Sequence, residues 1–221
     1  MIHRRDFLKT ALVGAGLMAM PSFLSAQAKA KNAILNQTFT LNDGVKIPKL
    51  GLGVWKIDDS IIEGVIKEAF HIGYRHIDTA QAYQNERGVG AAVNQAIKNG
   101  LKREEIFITS KVRAEYKDKK SATDSIDKSL KTMKLEYIDL MLLHHPGARD
   151  VEAYKALEQA VRDGKIRSIG LSNWYIEELE EFLPQINITP ALVQNEIHPY
   201  YQENDVIPYI QSHGIVVQGW Y

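Results

Sequence analysis

The segment Gly73–Gly90, GYRHIDTAQAYQNERGVG, ends a short apolar run on Asp78 and places Tyr83 in the loop beyond it. Two later apolar runs end the same way, IFITSKV with Lys111 and IDLMLLHH with His144. A phenol titrates near ~10 and is a poor acid at neutral pH. A neighbouring ammonium favours the phenolate and lowers that value. Tyr83 as a proton donor therefore needs a cation close by, and Lys111 can be that cation. Asp78 can hold Lys111 charged and in place. His144 can donate a hydrogen bond to an oxygen on which charge builds. Such a set would protonate an alkoxide, the species left when hydride adds to a carbonyl. Each residue alone has a plainer role: a turn cap, a packing tyrosine, a surface lysine, a core histidine. The four together, each at the end of a strand, carry the chemistry.

The elements that must position them alternate regularly. Phe39–Gly51 reads as a hairpin with its turn at Asn42-Asp43-Gly44. Leu50–Trp55, RHIDT, IFITSKV, IDLMLLH, IRSIGLSN, ALVQNEI and IVVQGW read as seven strands. Six helices are predicted between them: Ser60–Ile72 with Ser60 as its cap, Asn85–Lys98, one over SATDSIDKSLKTMK, Asp150–Gly164, Ile176–Leu183 and Asp205–Ser212. Repeated βα units with short loops imply a parallel sheet with right-handed crossovers. An open doubly wound sheet and a closed barrel both fit that order. The polar residues favour the α/β (β/α)8 TIM barrel, because it gathers strand C-terminal ends into one ring.

The stretch from Gly73 through Glu86, Gly88 and Gly90, with Lys111 and His144, resembles the aldo-keto reductase family. That resemblance implies reduction of an aldehyde or ketone to an alcohol, with Tyr83, Asp78, Lys111 and His144 as the catalytic tetrad. It implies a nicotinamide dinucleotide, NADPH in preference to NADH, lying across the barrel mouth. Ser172 and Asn173 in GLSNW and Gln194 in VQNEIHPYY match the family's carboxamide contacts. Trp220 falls where the family stacks an aromatic on the nicotinamide. Val54 and Trp55 border cofactor and substrate, and Asp78 is also among the expected cofactor contacts. Two departures bear on the substrate pocket formed with Trp55: Arg113 and His145 stand where many relatives carry Trp. They make the expected pocket more polar and point to polar or anionic small-molecule carbonyls. A two-histidine metal site at His144–His145 is not expected, since neighbours on a strand face opposite ways.

Residues 1–28 read as a leader: HRRDFLK, an apolar run, and a small-residue site at Ala26–Ala28. The Arg4–Arg5 pair resembles a twin-arginine export signal, which implies the export machinery as partner and a periplasmic location. Gly14, Gly16 and Ala19 fit a dinucleotide fingerprint by spacing alone, with no strand before them and no acid at the right distance after. Residues 29–221 form the barrel domain, and the series is expected to stop at its seventh strand, short of an eighth. The 27 basic and 27 acidic residues balance, so charge points to neither nucleic acid nor anionic membrane. The absence of cysteine excludes disulfides, thiolate metal sites, a Cys nucleophile and a lipidated Cys anchor in this chain. Two further classes fit the same residues: a non-catalytic barrel that keeps the tetrad by descent, and a redox sensor attached to a partner.

Overall fold

The computed structural model describes residues 34–113 and 118–221. The leader expected over residues 1–28 lies outside them. A hairpin comes first, β1 (Thr38–Thr40) against β2 (Lys46–Pro48), in antiparallel register Phe39↔Ile47. Its turn falls where the sequence puts it: Leu41 N–H donates to Val45 O and Asp43 Oδ1 accepts from Val45 N–H. Leu41 and Ile47 are buried against Phe107, Leu140, Leu142 and Leu192, so the hairpin covers the N-terminal ends of the main strands.

The main sheet has seven parallel strands in chain order: β3 (Leu52–Gly53), β4 (His76–Asp78), β5 (Phe107–Val112), β6 (Ile138–Leu143), β7 (Ile166–Ser172), β8 (Leu192–Glu196) and β9 (Val216–Trp220). Among the described residues, six helices alternate with them: α1 (Ile62–Ile72), α2 (Glu86–Lys98), α3 (Lys119–Met133), α4 (Asp150–Arg162), α5 (Ile176–Phe182) and α6 (Val206–Ser212). Each buries one stripe. In α1 it is Ile62, Ile66, Ala69 and Phe70; in α3 it is Ala122, Ile126, Ser129 and Met133. β6 is buried along its whole length, as a strand covered on both faces must be.

The sheet curls. Gln194 on β8 donates to Asp78 on β4 at 2.7 Å. In a flat sheet those strands would stand roughly 19 Å apart, four spacings of about 4.8 Å. The side chains meet across an interior, so the architecture is an α/β barrel wall rather than an open sheet. β3 and β9 are its two edges, and a cleft of about 420 Å³ is lined from both.

Two local expectations are corrected. α1 starts at Ile62, and Ser60 does not cap it: its N–H and hydroxyl both donate to Asp58 Oδ1, at 2.8 and 2.5 Å. The carboxylate two residues upstream is the better acceptor and takes the serine into its own turn. α3 starts earlier than SATDSIDKSLKTMK suggests, because Asp118 accepts from Ser121 N–H at 2.8 Å and sets the helix start there. Gly73 ends α1 in the left-handed region, φ 109°. Gly90 permits a close approach: a Cβ there would lie 2.2 Å from Met133 O, so α2 rests directly on the backbone of α3.

Asp139 closes the opposite end of the barrel from the polar ring. It is fully buried at the start of β6 and accepts from Arg103 at 2.7 Å, Arg167 at 2.9 Å and Ile108 N–H at 2.9 Å. Among the described residues, no helix is long and apolar enough to cross a membrane.

Candidate active site

Each tetrad residue takes its place from the element before it. Asp78 ends β4, and Lys111 is the last residue but one of β5. His144 follows β6, and Tyr83 ends a 3-10 turn over Gln81–Tyr83. Lys111 is 1% exposed. Its ammonium pairs with Asp78 Oδ1, donates to Thr79 O at 3.1 Å and stands 3.4 Å from Tyr83 Oη. Burial of so long a cation is tolerable only with such partners. The His144 ring meets Tyr83 edge-on, centroids 5.7 Å apart, and Trp55 tilts against Tyr83 at 6.5 Å.

The electrostatics differ from the sequence expectation in one respect. Burial pushes the Tyr83 phenol up from its ordinary value. Lys111 pulls it down, but Asp78 pushes it up again, and the net direction is upward. Without cofactor, then, Tyr83 keeps its proton at neutral pH. Burial, with Lys111 and His145 nearby, lowers His144 to about 3, so its ring is neutral and can donate a single N–H.

The residues expected to contact cofactor converge on the same rim. Asn173, in a left-handed conformation (φ 63°), donates to His144 O at 3.0 Å and Ser172 Oγ at 3.1 Å. Its Oδ1 accepts from Trp220 Nε1 at 3.1 Å. Gln194 bridges Asp78 and Gln218, both at 2.7 Å. Trp55, Asp78, Tyr83, Gln194 and Trp220 line the cleft between the edge strands. An indole plane beside hydroxyl and carboxamide groups suits a flat ring bearing a carboxamide, so these residues fit a nicotinamide. Val54 is fully buried and turns its side chain into the core.

Arg113 and His145 are not among the described residues that line that cleft. His145 stacks on His144, rings 4.7 Å apart and 11° from parallel. The strand rule that separated the two rings does not apply, because β6 ends at Leu143. Among the described residues, no group of three or more His, Asp or Glu side chains could hold a metal ion.

Sequence reasoning missed Asn85. It is buried, accepts from Thr79 Oγ1 at 2.7 Å and donates to Val54 O at 2.9 Å and Ile57 O at 3.1 Å. It ties the loop that carries Trp55 to the end of β4. Its place between Tyr83 and the buried Glu86 was the available signal: a carboxamide with two donors and an acceptor, set before a helix, is suited to bridging loops.

Comparison with known proteins points to one family. Residues 49–221 match the model of the aldo/keto reductase family. The chain is 39% identical over 188 residues to glyoxal reductase of Bacillus subtilis, covering 84% of this chain and 67% of that protein. It is 40% identical over 183 residues to a methylglyoxal reductase of Escherichia coli K12, covering 81% and 65%. It thus spans about two thirds of the length of these curated relatives. Among solved structures, an aldo/keto reductase from Brucella melitensis superposes with TM-score 0.80 at 37% identity, covering 83% of this chain and 72% of that one. A Bombyx mori aldo-keto reductase in complex with NADP superposes with TM-score 0.81 at 31% identity, covering 85% and 67%. A buried lysine between an aspartate and a tyrosine at the mouth of a parallel barrel, and a family match over most of its length, place this chain in the aldo/keto reductase family.

Proposed function

We propose that the protein reduces a small polar aldehyde or ketone to the alcohol, using NADPH. The observation that carries this is Lys111, buried between the Asp78 carboxylate and the Tyr83 hydroxyl. Ser172, Asn173, Gln194 and Trp220 would hold the nicotinamide, which when bound supplies a hydride to the carbonyl carbon. The chain's own residues do the rest. Tyr83 gives its proton to the carbonyl oxygen. Neutral His144 donates a hydrogen bond to that oxygen and orients it. The Lys111 ammonium stabilises the phenolate left on Tyr83, while Asp78 keeps that ammonium in place. The loss of a proton from Tyr83 and a hydride from the cofactor balances the two hydrogens gained by the carbonyl.

Substrate class is the finer part of the proposal. Relatives include proteins named glyoxal and methylglyoxal reductase. Arg113, two residues after Lys111, and His145, stacked on His144, support compact, polar or anionic carbonyls over steroids and aromatic aldehydes, although neither is among the described residues that line the cleft between the edge strands. Oxidation of NADPH by the purified chain with methylglyoxal tests the activity. Arg113→Ala should lower the ratio of turnover on glyoxylate to that on benzaldehyde, and an unchanged ratio removes the argument from polarity. NADPH binding without turnover would favour the non-catalytic barrel instead.

The leader carries a separate proposal, that the protein is exported by the twin-arginine route to the periplasm and cut after Ala28. Its support is the Arg4–Arg5 pair and the small-residue site. Intact mass of the protein from a periplasmic fraction decides it.

A further inference from the structure

We propose that Gln81 is a positioning residue that sets Tyr83 against Lys111. The proposal rests on the reductase reading for its kinetic consequence and on geometry for its structural one. The backbone bonds of the Gln81–Tyr83 turn, Tyr83 N–H to Ala80 O and Gln84 N–H to Gln81 O, fix its shape but not its place in the barrel. The Gln81 side chain supplies placement. Its Oε1 accepts from Arg113 N–H at 3.1 Å, two residues beyond Lys111 at the end of β5. Its Nε2 donates to Ser125 O at 3.1 Å and Ser129 Oγ at 3.0 Å, both on α3. Two of the three partners are backbone groups of opposite polarity, so the amide has one orientation and a flipped one would oppose like groups.

The network continues inward. Ser129 Oγ donates to Glu86 Oε2 at 3.2 Å, and Ser110 Oγ donates to Glu86 Oε1 at 2.7 Å. Ser110 directly precedes Lys111. The turn bearing the proton donor and the strand bearing its cation are thus joined twice, through the Arg113 amide and through Glu86. The Tyr83–Lys111 separation of 3.4 Å lies at the long end of hydrogen-bond range, where strength falls steeply with displacement. Misplacement by about an ångström can cost on the order of a hundredfold in rate. A side chain that holds this distance therefore governs proton delivery without touching substrate.

The test is Gln81→Met, which keeps length and removes all three bonds, read by kinetics and by NMR of ring-labelled tyrosine with Tyr83 assigned through Tyr83→Phe. The expected result is a fall in kcat on the order of tenfold with little change in KM. The Tyr83 resonance and its titration should move as well. Ser129→Ala, which removes one of the three Gln81 bonds and the Ser129–Glu86 bond but leaves Gln81 tied to Arg113 and Ser125, should shift the same resonance less and in the same direction; it also serves if Gln81→Met does not fold. An unmoved Tyr83 signal in both variants overturns the proposal, even if kcat falls. Absence of turnover in the parent protein would count against the reductase reading alone, since the NMR result still decides the role of Gln81.

Discussion

The Lys111 ammonium stands 3.4 Å from the Tyr83 hydroxyl while paired to Asp78, and it is almost entirely removed from solvent. One cation thus answers both to the carboxylate that anchors it and to the phenol it must influence. The two partners pull the phenol in opposite directions. Burial then tips the balance toward the protonated form.

Lys111→Met should separate anchoring from chemistry. It leaves the Asp78 carboxylate buried without its cation, and breaking such a pair from one side costs about 3–5 kcal/mol. Chemical denaturation should show that loss, and turnover should vanish. The Tyr83 titration should move further up, because the group that lowers it is gone.

Tyr83→Phe should do the reverse. The hydroxyl makes one long contact to Lys111, so stability should change by about 1 kcal/mol or less. Removal of the proton donor should lower kcat by on the order of 10² or more. NADPH binding, followed by fluorescence, should persist.

Stability should fall with acid through His76. The ring is fully buried and shares a hydrogen bond with Thr109 Oγ1 at 2.9 Å; burial lowers its pKa from 6.5 to about 4. The unfolded chain therefore takes up this proton first as pH drops. Stability is full above pH ~6.5, declines from there to about 4, and levels off below as far as this group is concerned. The cost at the low end is roughly 3 kcal/mol. Urea midpoints across that range check it, and His76→Gln should flatten the slope.

Asp139→Ala should destabilise without touching the rate constant. The carboxylate joins Arg103, Arg167 and the Ile108 amide at the strand ends opposite the tetrad. Its loss strands buried donors and a partly buried cation, again at about 3–5 kcal/mol. In the surviving folded fraction, kcat per active protein should match the parent.

The barrel wall was legible because apolar runs ended on polar residues at a steady interval, and Asp78, Lys111 and His144 marked those ends unaided. Helix starts were less legible. Ser60 and Asp58 are both capping types, and only three-dimensional geometry decides which accepts from which. The direction of the Tyr83 titration was not legible at all: sequence gives the presence of Lys111, whereas burial of the phenol is a property of the assembled mouth. Asn85 and Gln81 were hidden for a related reason. Their bonds run to backbone groups of residues 28 to 44 positions away, and no side-chain pattern advertises a backbone partner.

The contact of Gly90 with the Met133 backbone has a bearing on how the protein can adapt to different substrates. A side chain at position 90 would collide with the Met133 backbone, so α2 and α3 keep this close approach only with glycine there. The Gln81–Tyr83 turn leads directly into α2, so the segment bearing Tyr83 is anchored on this helix pair. The loop after β3 lies next to Tyr83, and there Trp55 is 56% exposed and Lys56 adopts a left-handed backbone, φ 62°. Under the proposed function, changes at Trp55 should widen the range of accepted molecules, while a side chain at Gly90 should narrow it by displacing the segment that bears Tyr83.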